Sequence, residues 1–146
     1  MDHLAILDKT RKLLAKIISG EKTIESRWYK SKVAPWGRIK KGETIYFKES
    51  GEPVNAKATI SEVLQFYLPQ TNVHDLLQEY RDEICFSEKN SEKLVAWCSL
   101  RTYCILIRLA QVQEIEPFEI DKTRFGMMAA WITVEDITKI KKNLNG

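Results

Sequence analysis

Gly20-Glu21-Lys22-Thr23-Ile24-Glu25-Ser26-Arg27 joins a stretch of helical periodicity to one of strand-like alternation. Upstream, Asp8 is a suitable N-cap for a helix running to about Ser19, with Leu13, Leu14, Ile17 and Ile18 as its apolar stripe. Gly20 stands where helices commonly end in a left-handed residue, a conformation glycine adopts without a Cβ penalty. Thr23 to Trp28 reads as a strand. Residues two apart on a strand share a face, roughly 6–7 Å from each other. Thr23, Glu25 and Arg27 therefore fall on one face and Ile24 and Ser26 on the other, while Lys22 lies in the connection. A lysine, a glutamate and an arginine thus converge at one end of a sheet. The plainer reading is a solvated ladder of alternating charges, which contributes little to stability.

Downstream, Tyr29 to Lys41 is a long irregular stretch containing Pro35 and Gly37. Glu43 to Lys48, the turn Ser50-Gly51-Glu52-Pro53 and Val54 to Phe66 read as a hairpin. Apolar alternation at Val54, Ala56, Ala58 and Ile60 resumes out of phase at Val63, which predicts a bulge near Ser61-Glu62. Asn72 or Thr71 caps a helix with Val73, Leu76, Leu77 and Tyr80 inward, and a second short helix after Asn90-Ser91 carries Leu94, Val95 and Trp97. Arg101 to Ile115 is β-rich, with Tyr103, Ile105, Ile107 and Leu109 on one face. Phe118 to Ile120 and Ala129 to Val134 read as further strands, and Asp136 to Leu144 as a basic terminal helix. Phe125-Gly126-Met127-Met128-Ala129-Ala130-Trp131 reads as a glycine-bent strand packed into the core rather than a ligand pocket. The pattern is an α+β class, a single domain over 1–146 with a mixed, barrel-like sheet and flanking helices.

Composition sets the outer bounds. The 146 residues, 44% of them hydrophobic, suffice for one buried core. No run of about eighteen apolar residues predicts a membrane span. Met1-Asp2-His3-Leu4 lacks the basic-then-apolar order of a signal peptide, which makes a cytoplasmic address the expectation. Cys85, Cys98 and Cys104 lie among apolar residues without C-x-x-C spacing and read as buried structural thiols. With only two histidines besides, no metal site and no cofactor is expected. Net charge is +3, but ten Lys or Arg face two Glu between Arg11 and Lys41, whereas seven acids face two bases between Glu62 and Glu92. Such asymmetry suits one positive face for a polyanion, or simply surfaces of different charge.

Between Trp28 and Lys41, after the octapeptide, lie five cations (Lys30, Lys32, Arg38, Lys40 and Lys41), no acid, and three aromatics, Trp28, Tyr29 and Trp36. Cations meet phosphates and flat aromatic faces meet unstacked bases, each stacked base contributing about 1–3 kcal/mol. Each tryptophan alone reads equally well as core or rim packing. Glu62, near the expected bulge, is a second carboxylate within reach of the same cleft. Lys139, Lys141 and Lys142 extend a basic surface or complement a helix C-terminus.

Gly20-x-Lys22-x-x-Glu25-x-Arg27 resembles the G-x-K-x-x-E-x-R signature of ASCH domains, placed after the first helix as in that family. The strand entry Gly42-Glu43-Thr44-Ile45 and the long strand that follows also look similar. The resemblance implies a PUA-like β-barrel with a cleft into which Lys22, Glu25 and Arg27 project, and RNA, a nucleotide or a nucleoside as partner. On that reading Lys22 and Arg27 meet phosphate or base carbonyl oxygens, Glu25 orients Arg27 or accepts from an exocyclic amine, and Trp28 and Trp36 stack. Lys30, Lys32, Arg38, Lys40 and Lys41 supply the salt-sensitive attraction. One branch of the family deacylates a modified cytidine with a threonine where this chain has Glu25, so that activity is not carried over. A hydrolase acting on RNA or a modified nucleoside, with Lys22 and Glu25 as an acid–base pair, is the rival reading. A third is a protein-interaction domain that presents the same positive face to an acidic partner. In the binding reading, Lys22→Ala or Arg27→Ala weakens affinity and leaves the fold intact.

Overall fold

The computed structural model describes residues 1–142. Six strands form its sheet: β1 (Asp2–Leu7), β2 (Ile24–Tyr29), β3 (Thr44–Glu49), β4 (Val54–Tyr67), β5 (Tyr103–Phe118) and β6 (Trp131–Val134). Their order is β2-β5-β4-β3-β1-β6, with β1 and β3 parallel and every other pair antiparallel. The sheet curls so far that Arg27, on the β2 edge, donates to the carbonyls of Ile6 on β1 and Ala130 beside β6. The result is a half-barrel with one open seam, between β2 and the β1/β6 side.

Period-two alternation sorts side chains onto two faces. Ala5, Leu7, Ile45, Phe47, Ala58, Ile60, Ile105 and Ile107 fill the concave interior together with Leu13, Leu14 and Ile17 of α1 (Leu13–Ser19). Ile24, Cys104 and Leu106 point outward and are covered by α2 (Val73–Ile84) and α3 (Ser91–Ser99). Asn72 and Asn90 cap those helices through their side chains. The register shift between Ile60 and Glu62 lies where the change of apolar phase predicts it: beyond it Val63 packs inward, and Leu64 and Phe66 pack outward. No helix among the described residues is long and apolar enough to cross a membrane.

Three expectations are corrected. The first helix is split: Asp8 accepts from both the backbone and the hydroxyl of Thr10, closing a short 3-10 turn at Lys9–Arg11. Lys12 then turns left-handed, φ 55°, and α1 begins at Leu13. The segment before Trp131 is a loop rather than a core strand, with Met127 and Met128 87% and 93% exposed. Lys122 Nζ ties that loop through the carbonyls of Met127 and Ala129. Finally, Ile137–Ile140 is a 3-10 turn, after which Lys141 bridges to Ile120 and Lys142 donates to the Glu119 carbonyl. That extended pairing replaces the expected terminal helix, whose end at Leu144 lies outside the described residues.

Lys12 pays a left-handed cost of about 1–2 kcal/mol that glycine avoids, against glycine's larger loss of backbone entropy. Lys12→Gly is therefore expected to raise stability by about 0.5–1 kcal/mol in urea unfolding. A lower midpoint would mean that the lysine side chain contributes more there than its backbone costs.

Candidate functional site

β2 is an edge strand, paired only with β5, so one of its sides faces the seam. Ile24 and Trp28 turn outward toward the α2 and α3 cover, while Glu25, Arg27 and Tyr29 turn toward the concave face. Along this edge lies a cavity of about 360 Å³, with Lys22, Glu25, Arg27, Trp28 and Tyr29 in its wall. Arg11, Phe86, Trp97 and Ala130 close it from other elements.

Lys22 is only 2% exposed. Its Nζ donates to the carbonyls of Ile24 at 2.7 Å and Ile84 at 2.6 Å, and lies 4.0 Å from Glu25 Oε1. Burial lowers its pKa below the ordinary lysine value, with the Glu25 carboxylate opposing that shift. Glu25 is equally buried, and its Oε1 accepts from the Ser26 backbone N–H at 2.9 Å. Arg27 spans the seam, its Nη1 3.2 Å from the Ala130 carbonyl and its Nη2 3.4 Å from that of Ile6. Its guanidinium sits 5.1 Å over the Trp131 ring. Two polar atoms of this cluster, Glu25 Oε2 and Arg27 Nε, are buried without any hydrogen-bond partner.

The far wall is aromatic. Trp28 donates through Nε1 to Ser26 Oγ at 2.9 Å and packs against Phe86 and Trp97, with ring centroids 5.8 Å and 6.3 Å away. Trp97 is 42% exposed and carries the Arg101 guanidinium at 3.8 Å. Burial raises the Tyr29 pKa.

The other residues singled out from sequence lie apart from this cavity. Lys30, Lys32, Arg38, Lys40 and Lys41 are exposed on the loop beyond the end of β2, and none of them lines the cavity. Trp36 stacks edge-to-face on Tyr103 at 4.8 Å and packs against the interior, with Lys32 Nζ 5.8 Å from the same tyrosine ring. Glu62 pairs with Arg108 instead of reaching the cleft. Cys98 and Cys104 are buried thiols, the former pushed up to about 12 by burial and the latter pushed higher still. Cys85, also buried, lines the cavity, its Sγ 3.3 Å from the Glu21 carbonyl. Among the described residues no group of three or more His, Cys, Asp or Glu is arranged to hold a metal ion.

Sequence reasoning missed Arg11, Phe86 and Trp97. The available signal was Trp97 with Arg101 four residues on, just past the end of α3, where the guanidinium folds back over the ring and onto the Trp97 carbonyl. It also missed His3, which is fully buried: its Nδ1 accepts from Trp131 Nε1 at 3.3 Å, and its Nε2 bonds Glu43 Oε1 at 2.9 Å. That chain steadies the ring beneath Arg27.

No protein-family model and no curated protein sequence matches this chain. In three dimensions it is similar to the crystal structure of ASCH from Zymomonas mobilis, with a TM-score of 0.66 at 16% identity over 97% of this chain and 96% of that one. A single-substitution variant of the same Zymomonas mobilis protein gives 0.65 at 16% identity over 97% and 99%. At that identity what is shared is the fold, and the chain has the ASCH fold: a mixed half-barrel of six strands with three helices.

The depth of Lys22 revises the expectation that Lys22→Ala leaves the fold intact. Removing the ammonium leaves two carbonyls and a carboxylate unpaired, and breaking such a buried cluster costs about 3–5 kcal/mol. The sign with pH follows from the lowered pKa: between that value and the ordinary lysine value, the unfolded chain holds more protons than the folded one. Stability from this site therefore rises as pH climbs through that window. Chemical denaturation across the alkaline range should show the gap between wild type and Lys22→Met widening with pH; a constant gap would mean that Lys22 titrates normally.

Proposed function

We propose that this ASCH-fold chain binds single-stranded RNA, or a nucleotide of it, with a base seated in the cavity along β2. The observation that carries the reading is one cavity joining a buried carboxylate and a guanidinium to an aromatic wall. Its volume is in the range of small-ligand sites, about 300–1,000 Å³. The Glu25 carboxylate suits an exocyclic amine, as acidic side chains do with cytosine, and Arg27 suits a base carbonyl. Trp28 and Trp97 give flat surface for stacking. Glu25 Oε2 and Arg27 Nε, an acceptor and a donor without partners, are groups whose desolvation a polar ligand would offset. Outside the cavity, Lys30, Lys32, Arg38, Lys40 and Lys41 are exposed on the loop that follows the same strand, suited to neighbouring phosphates.

The hydrolase reading is favoured by one feature, a buried lysine of lowered pKa beside a buried carboxylate in a cavity. Against it, Lys22 Nζ already donates to two backbone carbonyls, which makes it a structural cation first.

Titration with short single-stranded RNA, matched DNA and duplexes at two salt concentrations, followed by tryptophan fluorescence, tests the proposal. Single-stranded RNA is expected to quench best and to bind more weakly at higher salt. Arg27→Ala should lose about tenfold or more in affinity while still melting cooperatively, since bonds to a charged donor contribute about 1.5–3 kcal/mol. Unchanged affinity in Arg27→Ala and Glu25→Gln would remove the cavity from the function. Turnover of RNA or an acylated nucleoside that Glu25→Gln abolishes, with binding kept, would select the hydrolase.

A further inference from the structure

Beside the cavity on β2 lies a second one of about 550 Å³, formed around Phe86, Ser87, Lys93 and Trp97. Arg11, Phe86 and Trp97 belong to the walls of both. The two are therefore adjacent compartments divided by one exposed arginine and two aromatic residues. Arg11 Nε donates to Ser87 Oγ at 3.2 Å, which anchors its guanidinium at the shared wall. Its two terminal nitrogens make no hydrogen bond or ion pair among the described residues, and the carboxylate beside it in the first cavity's wall, Asp8, is itself bonded to Thr10. Lys93, exposed on the first turn of α3, adds a second cation to the outer compartment, whose acid is Glu88.

We infer that the ligand is a single-stranded segment of at least two nucleotides, with one base in each compartment and the linking phosphate on Arg11. The inference rests on the nucleotide reading of the first cavity. Several features support two subsites over one. Each compartment has room for a base and shares an aromatic wall with the other. The cation they share stands at their boundary, where successive nucleotides place a phosphate. Lys93, a turn before Trp97 on α3, lines the second cavity and not the first, so a single nucleotide in the first would not meet it. A duplex is unsuited, since its bases are paired and stacked and do not part into separate compartments.

The test compares ribodinucleoside monophosphates with the corresponding 5′-mononucleotides as probes, by calorimetry, on the wild type and on Lys93→Glu. At least one dinucleotide should bind about tenfold or more tighter than either of its mononucleotides, as a second stacked base predicts. Lys93→Glu should bring that ratio close to unity and leave mononucleotide affinity as it was, with an unchanged melting temperature to show that α3 is intact. Arg11→Gln should weaken the dinucleotide more than the mononucleotide. Dinucleotides that bind no tighter than mononucleotides would overturn the two-compartment site while leaving the first cavity's reading in place. Equal losses for both probes in Arg11→Gln would overturn the linking role of the arginine. If no probe binds, the reading of the first cavity fails and this inference falls with it.

Discussion

The ammonium of Lys22 has left water and is held by two backbone carbonyls, one at the start of β2 and one at the end of α2. Everything at the site hangs on that tie. The Ile84 carbonyl is among the last of α2, where the helix presents unpaired acceptors and partial negative charge, so a cation is favoured there. The chain leaves α2 through Cys85 in the left-handed region, φ 60°, which turns Phe86 into the aromatic wall. The same lysine that anchors the strand to the outer helix also sets Glu25 beside it, with no hydrogen bond between them. One buried charge thus joins the covering helices, the edge strand and the cavity.

The seam is the second constraint. A half-barrel leaves the outer edges of its two end strands, β2 and β6, without a β-partner, a liability that proteins ordinarily blunt or cover. Here a side chain does so: the Arg27 fork reaches two carbonyls across the opening and lies over Trp131. Trp131 is held in turn by His3 and Thr133: its indole N–H lies 3.3 Å from His3 Nδ1 and 3.2 Å from Thr133 Oγ1, and His3 Nε2 bonds Glu43 on the other side. A polar chain from Glu43 through His3 and Trp131 to Arg27 therefore runs between the β3 entry and the seam. The aromatic and charged residues of the site are fixed from behind.

Much of this was readable from the residues, and the failures have physical reasons. Periodicity placed β2, the β3–β4 hairpin, α2, α3 and β5, because each element has one dominant apolar rhythm and side-chain caps at Asn72 and Asn90. The phase slip after Ile60 located the bulge. Alternation also put Glu25 and Arg27 on one face. It could not say that this face is buried at a seam, because seam and surface give the same pattern along a strand. Local polar competition defeated the first helix, where Asp8 spends its carboxylate on Thr10. The terminal helix was lost to a pairing with Glu119 and Ile120, about twenty residues upstream, that no local pattern announces. The wall residues Arg11, Phe86 and Trp97 come from three separate segments and meet only through the curl of the sheet.

The polar cluster is expensive for a stable core. A buried ion pair is often no better than apolar residues of the same volume, and a buried polar atom without a partner costs about 1–3 kcal/mol. This chain nevertheless buries Lys22 and Glu25 together and leaves Glu25 Oε2 and Arg27 Nε unpaired. Packing does not require it, since the Ile105 and Ile107 layer next to β2 is apolar and complete. The residues of the cluster also do not neutralise one another: Lys22 spends its protons on carbonyls and Arg27 on the far side of the seam, so the carboxylate between them keeps an open acceptor. An unpaired buried acceptor beside a buried lysine and an aromatic wall is a cost to the fold that, on the binding reading, a flat polar ligand would offset.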